Sequence, residues 1–398
     1  MLNPKTQERE LCYVVEINDI QPIPNYDRVE LATVNGWHII VQKNQFKVGD
    51  KAIYFEVDSR VPESAEFDFL AKRKYKIKTL KMCGCISQGL LMSFADFGFA
   101  EDEYNVGDFL TKKLNITYAD DEDNIRKAPS TDKYKKMEMR HRKLFKNSFV
   151  KKIMRYEVGR KIMFAFFGKK KDKKSSFPSW VVKTDEERAE NLPYLFDNKD
   201  RESTHWMVTE KIDGTSATFT LKKIGKHKYD YRVCSRNVCF DKPDKKCFYE
   251  TNVYTQIAEK YDMEKKLKDL FDDNDNDDIV FVTIQGEIYG EKIQRRDYNM
   301  TGIDLAIFNV IFGYKDGSTE RLNPREMENL MEVNNLPTVP VLDYDFILPS
   351  TCDEMLEYAA SENSKIDGGM REGVVLRSFD GKQSFKAVSR DFLLKYHG

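Results

Sequence analysis

The chain of 398 residues carries 65 Lys and Arg against 66 Asp and Glu, a net charge of −1, with 40% hydrophobic and 12% aromatic residues. That length predicts two domains with real cores, and near-neutrality argues against a generic nucleic-acid binder. No run of 18 or more apolar residues occurs and Met1-Leu2-Asn3-Pro4-Lys5 lacks a secretory pattern, so no membrane partner and an intracellular, cytoplasmic protein are expected. Seven cysteines (12, 83, 85, 234, 239, 247 and 352), an odd number without a Cys-x-x-Cys pair, read as reduced thiols rather than a zinc site.

In chain order, Cys12–Ile17, Val29–Val34, Trp37–Val41 and Lys51–Val57 read as short strands. Asn35-Gly36 between two of them marks a type I′ hairpin. Five or so strands in about a hundred residues predict a small barrel of OB type. Residues 116–176 differ in character. Between Lys133 and Lys174 stand 17 Lys and Arg against three acids, Glu138, Glu157 and Asp172, interleaved with aromatics such as Tyr134, Phe145 and Tyr156. Such a stretch serves single strands by charge and stacking, or is the solvated face of an amphipathic helix. Lys169-Lys170-Lys171-Asp172-Lys173-Lys174 also has the form of a nuclear-targeting run. From about Phe177 onward strands mix with helices predicted at Thr255–Phe271, Pro324–Asn334 and Thr351–Glu362, an α+β pattern of two layers. The Asp272–Asp278 run is a surface loop, because Asp278 and Ile284 occupy the Gly and Glu positions of a calcium loop.

The chemistry concentrates in an ordered series. Glu210-Lys211-Ile212-Asp213-Gly214 ends an apparent strand, His205–Glu210. A lysine there can attack a nucleoside triphosphate, Gly214 permits close backbone approach, and Asp213 falls on the side of Lys211 in an extended chain. Ser235-Arg236-Asn237 offers a guanidinium fork for phosphate and an amide for ribose hydroxyls. Glu287, between Gly286 and Gly290, is expected at a strand end. Phe308 can stack on a purine, Glu372 opens the strand Val374-Val375-Leu376, and Lys386 brings an ammonium for the α-phosphate. Capture of AMP on an amine further needs a cation to neutralise phosphate, and a positive environment would lower the Lys211 pKa.

This series resembles the covalent nucleotidyltransferases, and within them the ATP-dependent RNA ligases of the Deinococcus-type, or fifth, family. Pro22-Ile23-Pro24, Asp27–Val34, Gly36-Trp37, Val48-Gly49-Asp50 and Ile86–Leu90 resemble that family's N-terminal OB domain; Lys183–Arg188 and Asn191-Leu192-Pro193 resemble the start of its catalytic domain. The resemblance implies an OB-type domain over 1–115, a basic linker or helical insertion over 116–176, and a nucleotidyltransferase domain of the ATP-grasp-like ligase kind over 177–398. It implies Lys211 as the adenylated nucleophile, with Glu210, Gly214, Arg236, Asn237, Glu287, Phe308 and Lys386 around the nucleotide. Asp213, Glu287 and Glu372 would hold the waters of Mg²⁺ or Mn²⁺. The family's last motif is usually Lys-x-Lys, whereas Lys386 stands between Ser384 and Val388, leaving Lys382 or Lys395 to substitute. Only 12 residues follow Lys386, no room for the C-terminal OB domain of capping enzymes and most DNA ligases. The expectation is a monomeric ATP-dependent RNA ligase joining 3′-OH and 5′-phosphate ends in nicked duplex or splinted RNA. The alternatives are a ligase preferring DNA or mixed nicks, and a non-catalytic RNA-binding protein with a degenerate nucleotidyltransferase domain.

Overall fold

A computed structural model describes residues 9–119, 177–183, 186–198, 201–225, 228–240, 252–272, 278–379 and 383–397, with the single positions 150, 154, 163 and 381. The lysine run 169–174, nearly all of the basic stretch 133–174, most of the acidic run 272–278, and Lys382 lie outside the described residues. The N-terminal strands are β1 (Cys12–Glu16), β2 (Asp19–Pro22), β3 (Val29–Val34), β4 (Trp37–Gln42), β5 (Lys51–Phe55), β6 (Ser59–Arg60), β7 (Leu80–Met82), β8 (Cys85–Ser87), β9 (Leu90–Met92) and β10 (Thr117–Tyr118). Chain contacts separate a unit made of Asp58–Ile77 and Lys112–Lys173 from the rest. Within it β6 pairs antiparallel with β10, and a 3-10 helix over Ala65–Arg73 ends at Lys74 in the left-handed region.

In the larger unit, β1-β5-β9 and β2-β3-β4 are antiparallel three-stranded sheets that share one core. The period of two is plain in β4, where Trp37, Ile39 and Val41 are buried while His38 and Ile40 are less so. Those three pack with Tyr13, Val15, Ala32, Val34 and Tyr54. At the hairpin Asn35 and Gly36 take φ of +50° and +83°, the type I′ geometry expected there.

The C-terminal part contains β11 (Glu187–Arg188), α1 (Pro193–Phe196), β12 (His205–Lys211), β13 (Thr215–Gly225), β14 (Lys228–Ser235), β15 (Cys239–Phe240), α2 (Val253–Lys260), α3 (Met263–Asp272), β16 (Ile279–Gly290), β17 (Ile303–Tyr314), β18 (Thr319–Arg321), α4 (Pro324–Val333), β19 (Val341–Ile347), α5 (Cys352–Ala360), β20 (Gly373–Ser378), β21 (Ser384–Val388) and α6 (Arg390–Phe392). Two sheets organise it. The order β15-β14-β13-β16-β17-β18 is antiparallel throughout, and β11-β21-β20-β12-β19 is antiparallel except for the parallel β11–β21 pair. The first sheet buries Phe219, Leu221, Val282, Ile284 and Val310 against α2, α3 and α4. The second buries Trp206, Val208, Val374, Leu376 and Phe385 against α5.

Two expectations change. The single helix expected over 255–271 is two, because Asp262 takes φ of +47° and turns the chain. The break lets Tyr254 and Ile257 of α2 and Leu267, Leu270 and Phe271 of α3 meet the same core. Glu287 lies inside β16, opposite Ser216 and Ala306, and not at a strand end.

Gly373 matters for position. It pairs with Lys211 across β12 and β20 and with Val388 across β20 and β21, and a Cβ there would stand 2.1 Å from the Ala387 carbonyl oxygen. Gly373→Ala should therefore destabilise the protein by about 1–3 kcal/mol, read by urea denaturation; unchanged stability would contradict this packing.

Candidate active site

The two C-terminal sheets meet where the chain leaves β12 at Lys211 and enters β13 at Thr215. Between them lies a cavity of about 320 Å³. From the five-stranded sheet it is lined by Thr209, Glu210, Lys211, Val375, Arg377 and Lys386, and from the six-stranded sheet by Thr215, Ser216, Glu287 and Phe308. Arg236 reaches it from the two-residue turn after β14.

Backbone geometry explains these positions. Lys211 pairs with Gly373, so Glu372, one residue earlier, stands beside the lysine. Its Oε1 is 2.7 Å from Lys211 Nζ. Gly214 is forced by the crossing between sheets: a Cβ there would stand 2.3 Å from the Ile288 carbonyl oxygen. Phe308 owes its aim to a bulge, since Gln285 pairs with Asn309 but Gly286 pairs with Ile307. The extra residue of a bulge is free to re-aim its side chain, and Phe308 lines the cavity. Arg377 braces this bulge by donating to the Phe308 carbonyl at 2.7 Å, and its other nitrogen meets Glu186 at 3.3 Å. Tyr298 accepts the Asp213 backbone N–H at 2.6 Å, and the Arg296 guanidinium stacks on the Tyr298 ring at 4.0 Å.

The electrostatics of the site are acidic. Burial pulls the Lys211 pKa down, but Glu372, Glu287 and Asp213 outweigh it and hold the ammonium above its usual value. Without a bound cation the lysine's surroundings are therefore negative. Burial, opposed by Lys211 and reinforced by Glu372 and Asp213, pushes the Glu287 carboxyl up to about 8. Burial also raises Glu210, whose Oε2 accepts the Lys365 N–H at 2.8 Å.

Of the residues singled out in the sequence, Glu210, Lys211, Gly214, Arg236, Glu287, Phe308 and Lys386 line one cavity. Glu372 joins through its ion pair, and Asp213 acts on the charges of Lys211 and Glu287. Asn237 does not line the cavity; its Oδ1 accepts from Lys183 Nζ at 3.0 Å. Glu186, Arg377 and Gln294 do line it. Glu186 lies in a stretch that carried the family resemblance and Arg377 directly follows the strand residues Val374-Val375-Leu376, but neither had a role assigned. Gln294, which donates to the Gly214 carbonyl at 2.9 Å, gave no sequence signal.

The family model for RNA ligase matches residues 204–397, the span that contains this cavity, and an OB-fold domain model matches residues 11–94. No curated protein matches the sequence. Among solved structures, the RNA ligase of Naegleria gruberi in a variant with AMP and Mn aligns at 25% identity and a TM-score of 0.67, covering 98% of this chain and 99% of that one. The same ligase with pyrophosphate aligns at 25% and 0.66 over 98% and 99%, and a variant with ATP and Mn at 26% and 0.66 over 98% and 100%.

The protein is an RNA ligase. Its first domain is an OB fold and its second a mixed α+β ligase domain. The enzyme reading therefore prevails over the non-catalytic alternative.

A raised carboxyl pKa fixes a sign for pH. Glu287 stabilises the metal-free ligase fully below the ordinary carboxylate value of 4.5, and that contribution disappears as pH rises through about 8. Glu287→Gln should flatten the decline in melting temperature between about pH 5 and about pH 8. An equal decline in both proteins, followed by calorimetry in chelator, would contradict this assignment.

Proposed function

We propose that the ligase is ATP-dependent and works through lysyl-AMP on Lys211, with AMP then passed to an RNA 5′-phosphate before the strand is sealed. The observation that carries this reading is Lys211 Nζ, 2.7 Å from Glu372 Oε1, on the wall of a cavity that also presents Arg236, Lys386 and Phe308. In the first step the amine nitrogen attacks the α-phosphorus, a P–N bond forms, the bond to the bridging oxygen breaks and pyrophosphate leaves. The amine must first lose a proton, and Glu372 is in contact to take it. Arg236 and Lys386 place positive charge where phosphate charge develops. Phe308 provides the ring for adenine, and Glu287 and Asn237 face the ribose once Asn237 turns from Lys183. In the second step a 5′-phosphate oxygen attacks the same phosphorus and Lys211 leaves. In the third a 3′-hydroxyl attacks the 5′-phosphate and AMP leaves.

The residues present fit a divalent cation. Glu372 Oε2 is buried without a hydrogen-bond partner, and Glu287 bears a carboxyl that burial, with Glu372 and Asp213 beside it, makes costly to ionise. Among the described residues no three acidic, His or Cys side chains form a direct ligand cluster, so Asp213, Glu287 and Glu372 would hold Mg²⁺ or Mn²⁺ through water. Bound there, the cation supplies charge that competes with the Lys211 ammonium for the same carboxylates and so lowers the lysine's hold on its proton.

The subfamily reading remains Deinococcus-type, on the N-terminal stretches around Pro22–Trp37 and on Lys183–Arg188. Residues 1–115, 116–176 and 177–398 are read as barrel, basic insertion and catalytic domain, acting as an intracellular monomer on nicked duplex or splinted RNA ends. The 17 basic residues between 133 and 174 supply the charge for gripping such ends.

Incubation with α-labelled ATP and Mg²⁺ or Mn²⁺ should leave covalent label on the wild type, none on Lys211→Ala, and at least about a hundredfold slower labelling on Glu372→Gln. Label on Lys211→Ala, seen on a denaturing gel, would sink the mechanism.

A further inference from the structure

The turn that brings Arg236 to the cavity is closed at its neck by two cysteines with no part in the ligase chemistry. Cys234 of β14 stands opposite Cys239 of β15. The Ser235 N–H donates to the Val238 carbonyl at 2.8 Å, so Ser235 and Val238 are a hydrogen-bonded pair. The next pair along an antiparallel ladder is then non-hydrogen-bonded, with Cα atoms roughly 4.5 Å apart. That separation falls inside the roughly 4.4–6.8 Å that a disulfide spans. Neither cysteine is in a disulfide, and they are 0% and 3% exposed, whereas Arg236, Asn237 and Val238 between them are exposed. The pair therefore lies just under the surface of a short turn.

The thiols also have distinct surroundings. The Cys239 sulfur is hydrogen-bonded by the guanidinium of Arg232, which is itself held by Asp230 at 2.6 Å. A cation beside a sulfur favours the thiolate, the reactive form. The hydrogen bond with Cys239, and then burial, push the Cys234 thiol up and keep it protonated. One sulfur is placed to attack and the other to resolve.

We propose that Cys234 and Cys239 are an oxidation site, a cross-strand dithiol that a hydroperoxide converts to a disulfide, slowing nucleotide capture by shifting Arg236. The Cys239 thiolate attacks a peroxide oxygen, the O–O bond breaks, and a sulfenic acid and one water or alcohol result. The Cys234 sulfur then attacks the sulfenic sulfur, the S–S bond forms, and the oxygen leaves as water with the Cys234 proton. The peroxide gains two electrons and the thiols lose two. A disulfide most often holds its Cα atoms roughly 5.5–6 Å apart, wider than this pair, so forming the bond spreads β14 and β15 at the neck of a two-residue turn, and the turn carries Arg236 with it. The effect on capture rests on the reading of Lys211 as the nucleotide acceptor.

Reduced full-length protein is treated with hydrogen peroxide, quenched, alkylated and digested. Trypsin cuts after Arg232 and Arg236, so the two cysteines leave in separate peptides that only a disulfide can join. The expected result is that joined pair, two hydrogens lighter than its parts, with labelling from α-labelled ATP slowed several-fold and restored by dithiothreitol. Folded Cys234→Ser, checked by circular dichroism, should show neither the pair nor reversible slowing. Absence of the pair in the wild type, or Cys239 oxidised singly to a sulfinic acid, would overturn the site. A joined pair that labels at the reduced rate would overturn its effect on capture. Reduced protein that never labels condemns the Lys211 reading, while the mass of the peptides still decides the disulfide.

Discussion

The contact between the Lys211 ammonium and the Glu372 carboxylate is the constraint on which the site depends. A lysine and three carboxylates share a partly buried space, and Lys211 and Glu287 both depart from their ordinary titration there. In the protein alone the carboxylates secure the proton on Lys211, the lysine partly compensates Glu287, and Glu287 still rises to about 8. Such a cluster is poised rather than satisfied, and an additional positive charge resolves it. On the proposed reading, Lys211 is quiet as a nucleophile when the site is empty and reactive when phosphate and cation arrive together.

The rest of the ligase domain holds that cluster in place. Lys211 ends β12, Glu372 immediately precedes the adjacent strand β20 of the same sheet, Glu287 comes from a central strand of the other, and Gly214 lets the two backbones approach. Arg377 and Glu186 fix the Phe308 bulge from behind. The barrel is attached nearby: Arg390 donates to the Gly36 carbonyl at 2.5 Å and to Asp353 at 2.7 Å. Arg188 lies over the Trp37 ring at 5.6 Å, and Ile86 packs with Val388 and Leu393. The type I′ turn read from Asn35-Gly36 is therefore also a docking element, where an added Cβ at Gly36 would stand 2.9 Å from Cys352 Sγ.

Local patterns made much of this legible in the sequence. Alternation fixed the strands of the barrel, and Lys211, Asp213, Glu287 and Glu372 stood out because a lysine and carboxylates close to glycines have few structural uses. Features that depend on pairing between distant strands were not legible. The bulge at Phe308 is a register shift against β16, invisible in Leu305–Val310 itself. Arg377 and Gln294 face the cavity only because of partners 69 and 80 residues away. The raised Lys211 pKa of the protein alone was not legible for the same reason: the carboxylates around it come from three separate segments. The break at Asp262 is a left-handed residue within an otherwise helical pattern.

The central claim is that carboxylates hold Lys211 charged until positive charge arrives. The direct test is a titration of lysine ¹³Cε resonances in protein freed of nucleotide and metal, with Lys211 assigned by its loss in Lys211→Arg. Lys211 should stay protonated beyond the ordinary lysine value of 10.5 and lose its proton at lower pH once Mg²⁺ is added. A Lys211 midpoint at or below the ordinary value without metal, unmoved by Mg²⁺, would contradict the account.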